Sequence, residues 1–187
     1  QLMRETFNET MRSYEDFAVR NLTTVSSARN GKLQLDEFFE QHGITITQDY
    51  TLTGNEAEIR AVYFRLFVKY FADRIFPFSD EELALANQAI KAIIKIISPE
   101  ETNIRQSKRI ALRFSTAIWL ERLQLGHFVE DDAIDDLLLP NDQLNDKSQR
   151  LIAYFEQQVK LRVPDISDEH LHREARYVLI ALFSIDV

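Results

Sequence analysis

Arg122 and His127 stand five positions apart in Arg122-Leu123-Gln124-Leu125-Gly126-His127, at the end of a stretch with helical periodicity. An imidazole transfers protons near neutral pH and a guanidinium holds charge on phosphoryl oxygens, so such a pair has the chemistry to cleave a phosphodiester without a metal. A second group, Asp168-Glu169-His170-Leu171-His172-Arg173-Glu174, is dense in metal-ligating types. On a helix His170 and Glu174 share a face at i,i+4 while His170 and His172 point apart, so zinc would need a ligand from elsewhere, such as His42 or His127. A solvated first turn with Asp168 and Glu169 near the positive helix end accounts for the segment without a metal. The third group is Ser26-Ser27-Ala28-Arg29-Asn30-Gly31-Lys32-Leu33-Gln34-Leu35-Asp36-Glu37, in which polar side chains alternate around a glycine.

With Gly31 at its sixth position, this third stretch resembles the calcium loop of the EF-hand family, most closely from Asn30-Gly31-Lys32-Leu33 to Glu37-Phe38. The resemblance implies ligand positions at Ser26, Ala28, Asn30, Lys32, Gln34 and Glu37. Ala28 carries no side-chain oxygen, Arg29 and Lys32 add positive charge, and Glu37 is the one aligned carboxylate. The expectation is therefore no metal and no cofactor, but a structural turn at Gly31, between two helices or as an Asn-Gly hairpin turn, with Leu33 and Leu35 facing inward. The Arg122 to His127 element resembles the Arg-x4-His element of the HEPN ribonucleases. That resemblance implies a helical, dimeric, metal-independent RNase with His127 moving protons and Arg122 stabilising phosphoryl charge, although Leu123 stands where that family usually has a polar residue. The bland account is helix-end solvation, with His127 favoured by the helix dipole.

The elements that would position these residues read as almost entirely helical. Met3, Phe7, Met11, Tyr14, Phe17, Ala18 and Leu22 recur mostly every three or four residues and predict one helix over residues 3–22. Gly43 is placed to end a short helix in the left-handed region. Ile44-Thr45-Ile46-Thr47 and Tyr50-Thr51-Leu52-Thr53 alternate and predict a small hairpin-like element near residues 44–53. Helical spacing resumes from 55 to 75, and Ser79-Asp80-Glu81-Glu82 is a capping box that opens a helix over 80–97. Further helices are predicted toward Leu125, over 131–139, over 147–162 and after Ser167, about seven or eight in all.

With 45% apolar and 28% charged residues, four Gly and four Pro, the composition is that of one mainly α domain spanning 1–187. The apolar runs Ala92-Ile93-Ile94 and Ile96-Ile97 are far too short to span a membrane, and the absence of Cys suits a reducing, cytoplasmic setting. Thirty acidic against 22 basic residues give a net charge of -8, which opposes binding to phosphate backbones, so nucleic acid is not the expected partner. No phosphate loop or nucleophile elbow is present, and the expected role is a non-enzymatic regulatory or protein-interaction module, with a homo-oligomer compatible. Its binding residues would be Phe64, Phe76 and Phe78, which fall outside the main aromatic stripe, and the acidic Asp131, Asp132, Asp135 and Asp136, which would meet a basic protein surface. The alternatives are the RNase reading on Arg122 and His127 and a helical pocket for an apolar small ligand.

Overall fold

The computed structural model describes residues 1–72, 76–100, 105–130, 134 and 144–185. Among them the protein is mainly α: eight helices and one two-stranded antiparallel sheet. The helices are α1 Leu2–Phe7, α2 Tyr14–Arg20, α3 Val25–Glu40, α4 Glu56–Phe71, α5 Asp80–Ile97, α6 Gln106–Gln124, α7 Asp146–Arg162 and α8 Asp168–Ser184, and the strands are β1 Thr45–Ile46 and β2 Leu52–Thr53. The contacts fall into two compact units, residues 1–63 and 64–187. The helix expected over 131–139 lies outside the described residues except at residue 134.

In the first unit the single helix expected over residues 3–22 is two helices. After Phe7 the chain closes on itself, with Glu9 in the left-handed region at φ 53° and Thr10 N–H donating to the Glu5 carbonyl at 2.9 Å. The chain restarts at Ser13, whose hydroxyl accepts from Asp16 N–H at 3.0 Å. The apolar spacing runs unbroken across this corner, so periodicity cannot detect it; the capping serine is the signal that does.

The turn expected at Gly31 is absent, and Val25 to Glu40 is one continuous helix. Thr24 caps it by accepting from Ser27 N–H at 3.0 Å, and Ala28 and Phe39 are buried on its inner side. One interior glycine costs a helix only about 1 kcal/mol, less than the burial of this inner stripe returns. Gly31 also makes room: a Cβ there would lie 3.2 Å from Leu2 Cδ2 of α1. The EF-hand-like residues are thus spread around a helix and form no ion loop. Leu35 is half-buried, but Leu33 faces solvent, contrary to the inward orientation expected of both.

Gly43 has φ 65°, and Ile44 N–H donates to the Phe39 carbonyl at 3.0 Å, closing α3 as its sequence suggested. The expected hairpin follows at once, pairing Thr45 with Thr53 and Ile46 with Leu52. Ile44, Ile46 and Leu52 are buried, and Phe7 and Phe39 pack on Tyr63 at 4.5 and 5.5 Å between ring centroids.

The second unit is built on α5 to α8. The Ser79–Glu82 capping box forms as its sequence dictates. Ile93, Leu112, Leu123, Leu151, Val159 and Leu179 form a core around Trp119, which meets Phe155 edge-on at 5.7 Å. Glu174 is fully buried there and accepts from Trp119 Nε1 at 3.2 Å and Val129 N–H at 2.7 Å. Lys147 Nζ donates to the Ile97 carbonyl at 2.6 Å, satisfying an orphan acceptor at the end of α5.

Leu22, just after α2, also adopts the left-handed region, at φ 50°, and its side chain is 96% exposed. A left-handed non-glycine residue costs roughly 1–2 kcal/mol, and burial returns nothing to offset it here. Leu22→Gly is expected to raise the unfolding free energy by about 1 kcal/mol, measured by urea denaturation; a loss of stability of that size would refute the strain.

Candidate functional site

The arrangement with most chemical consequence is α2, the connection Asn21–Thr24 and α3. α2 ends in a closed turn: Thr23 N–H donates to the Ala18 carbonyl at 3.0 Å across the left-handed Leu22. This satisfies carbonyls that a helix end leaves open and reverses the chain in four residues, after which the Thr24 cap starts α3. Ala18 and Ala28 are both buried, and small side chains let two helices approach closely. Phe17, Met11 and Ala28 form the local core, with Leu2, Tyr14 and Tyr50 packed against it.

A carboxylate locks the corner. Glu5 is 8% exposed; its Oε2 accepts from Arg20 Nη2 at 2.8 Å and its Oε1 from Asn21 Nδ2 at 2.9 Å. The Asn21 amide also donates to the Phe17 carbonyl at 3.0 Å. Arg20 makes two further bonds to Asp16 Oδ2, at 2.8 and 2.6 Å, and the Asp16 carboxyl is held below its usual range chiefly by that hydrogen bonding. One end of α1 is thereby tied to the turn between α2 and α3.

The outward face of α3 carries Ser26, Ser27, Arg29, Asn30, Leu33 and Gln34, all exposed, before Glu37 and Glu40 bring acidic charge to its second half. Arg29 lies over the Tyr14 ring at 5.5 Å, and Tyr14 meets Tyr50 of the hairpin edge-on at 5.6 Å. Burial pushes both phenols up from their ordinary value, so they are neutral at physiological pH. Lys32 pairs with Asp36 at 2.6 Å. Arg29, Asn30 and Gln34 thus lie exposed in a helix that a tight turn joins to α2.

Residues 1–67 match the family model described as the Mga helix-turn-helix domain. The matched segment contains α1 to α3, the hairpin and most of α4, so it covers the helix–turn–helix geometry just described. Comparison with curated proteins and with solved structures returned no match. A segment similar to a regulatory helix-turn-helix domain is consistent with a regulatory role. It also points to nucleic acid, and this corrects the expectation, drawn from the net charge, that nucleic acid is not a partner. The physical reason is that a summed charge does not describe a surface. Residues 1–67 hold seven Lys and Arg against ten Asp and Glu. Of those acids, Glu5, Asp16, Asp36, Glu56 and Glu58 are engaged with Arg20, Lys32, Arg60 and His42 rather than set on the first half of α3.

The residues singled out from the sequence lie elsewhere. Arg122 is 0% exposed within α6, and His127 is half-buried beyond its end. Their separation is that of a closed helix terminus: Gly126 sits at φ 79°, and His127 N–H donates to the Arg122 carbonyl at 2.9 Å. His170 stacks on Phe128 at 5.2 Å, and His172 Nδ1 lies 3.4 Å from Glu156 Oε1. Phe78 is 6% exposed and meets Phe67 edge-on at 5.4 Å, Phe76 packs on Phe114 at 5.4 Å, and Phe64 is half-buried in α4. Asp131, Asp132, Asp135 and Asp136 lie outside the described residues. Sequence reading missed that Arg29, Asn30 and Gln34 are exposed on one helix because Gly31 suggested a turn. Thr24 as a cap, with Ala28, Leu35 and Phe39 at helical spacing, was the signal that could have found it.

The ties made by Glu5 set a stability order. Arg20→Ala, which leaves the nearly buried Glu5 carboxylate with Asn21 alone and also releases Asp16, is expected to cost about 1–3 kcal/mol in urea unfolding, and Glu5→Ala, which removes the buried charge itself, to cost less. A larger loss for Glu5→Ala would show that the stranded carboxylate carries no cost of its own.

Proposed function

We propose that residues 1–63 form a regulatory DNA-binding unit that presents the first half of α3 to the major groove of duplex DNA. The observation that carries the reading is the coincidence of the family match over residues 1–67 with a compact α2–turn–α3 corner whose outward face bears Arg29, Asn30 and Gln34. Arg donates in a fork to guanine O6 and N7, and Asn and Gln pair with adenine N6 and N7, so these residue types suit base edges. The exposed Arg12, just before α2, adds a cation of a type that suits a phosphate, and the exposed Ser26 and Ser27 add hydroxyls that suit phosphate oxygens. The β1–β2 hairpin follows α3 directly, and Tyr50 in its turn meets Tyr14 of α2 edge-on and packs against the local core to which Ala28 of α3 belongs.

The test is enrichment of duplexes from a random pool by the full 187-residue chain at low salt, followed by fluorescence anisotropy on the enriched sequence. A shared motif should emerge, with affinity falling as salt rises. Arg29→Ala and Asn30→Ala should each weaken the enriched duplex by about 1–3 kcal/mol, with much less effect on an unrelated duplex, and leave the circular dichroism melt unchanged. No enriched motif, or equal binding by the Arg29→Ala/Asn30→Ala double variant, would remove this function.

A further inference from the structure

Leu33 sits on the outward face of α3, four residues after Arg29 and three after Asn30, and is 60% exposed. Residues at these separations are neighbours on a helix surface, so the three side chains form one contiguous patch. A single exposed leucine is ordinary on a protein surface. Leu33 is distinguished by its place: an apolar side chain amid Arg29, Asn30 and Gln34, on the face that the proposed function directs at DNA. No packing within the unit requires it there, since the inner stripe of α3 is complete with Ala28, Leu35 and Phe39.

In the major groove the one apolar feature that a base presents is the C5-methyl of thymine. We infer that Leu33 reads a thymine methyl, and that Arg29, steadied over the Tyr14 ring, reads a guanine on the same face of the site; the inference rests on the DNA-binding reading above. The spacing sets the scale. Four residues of helix rise about 6 Å, and successive base pairs about 3.4 Å, so the two bases stand about two base-pair steps apart. Glu37 and Glu40, on the same outward face one and two turns further on, repel phosphates and confine reading to the first half of the helix.

The experiment replaces each thymine of the enriched duplex by deoxyuridine in turn, which deletes only the methyl group, and measures the full chain and its Leu33→Ala variant. At one position the native chain should lose about fourfold in affinity, the factor that removal of one buried methyl gives, while Leu33→Ala binds thymine and deoxyuridine alike. Replacing guanine by 7-deazaguanine should likewise weaken the native chain at one position but not Arg29→Ala. Specific binding that is indifferent to every deoxyuridine, or a deoxyuridine penalty that persists in Leu33→Ala, overturns the role of Leu33 and leaves the DNA-binding function standing. A guanine effect that persists in Arg29→Ala overturns the role of Arg29 in the same way. Failure to enrich any duplex overturns both levels together.

Discussion

A single nearly buried carboxylate holds the corner on which the first unit depends. Glu5 reaches from α1 to Arg20, the last residue of α2, and to Asn21, the first residue beyond it. A carboxylate with little access to water is costly unless its oxygens are filled, and both are filled here by groups at the one place where the chain must reverse. Where α2 ends decides where α3 begins, and with it which residues of α3 face inward. Leu22 is carried into the left-handed region as a consequence, a local cost accepted because the surrounding bonds over-determine the turn.

The second constraint is the pairing of charge around that corner. Asp16 is taken up by Arg20, Asp36 by Lys32 and Glu56 by Arg60, the last pair almost wholly enclosed. These pairings contribute little stability where they are exposed, but they decide the field a partner meets. The first half of α3 is left neutral to basic while its second half is acidic. How an overall charge of -8 is distributed over a surface is thus something that no sum over residues conveys.

Closed helix ends recur through the protein and account for the spacing of one pair that stood out in its sequence. Arg122 and His127 are the first and last members of such a closure, in which His127 N–H reaches the Arg122 carbonyl. The same five-residue separation joins Glu5 to Thr10 and Ala18 to Thr23. Backbone geometry therefore supplies the spacing, and Arg122 is fully buried.

By itself the sequence determined the helical class, the hairpin after Gly43, the Ser79 capping box and most inner faces, because periodicity and caps act over a few residues. It did not determine the break between α1 and α2, since Met3, Phe7, Met11 and Tyr14 keep helical spacing straight across it. Nor did it place Gly31 within a helix, where the preference of one residue yields to the burial of Ala28 and Phe39 and to the approach of Leu2. Only the tertiary structure decided that Arg29, Asn30 and Leu33 share an outward face while Arg122 and Phe78 are enclosed. Whether a side chain meets water or a neighbour depends on what distant elements cover, and that information is not local to any stretch of the chain.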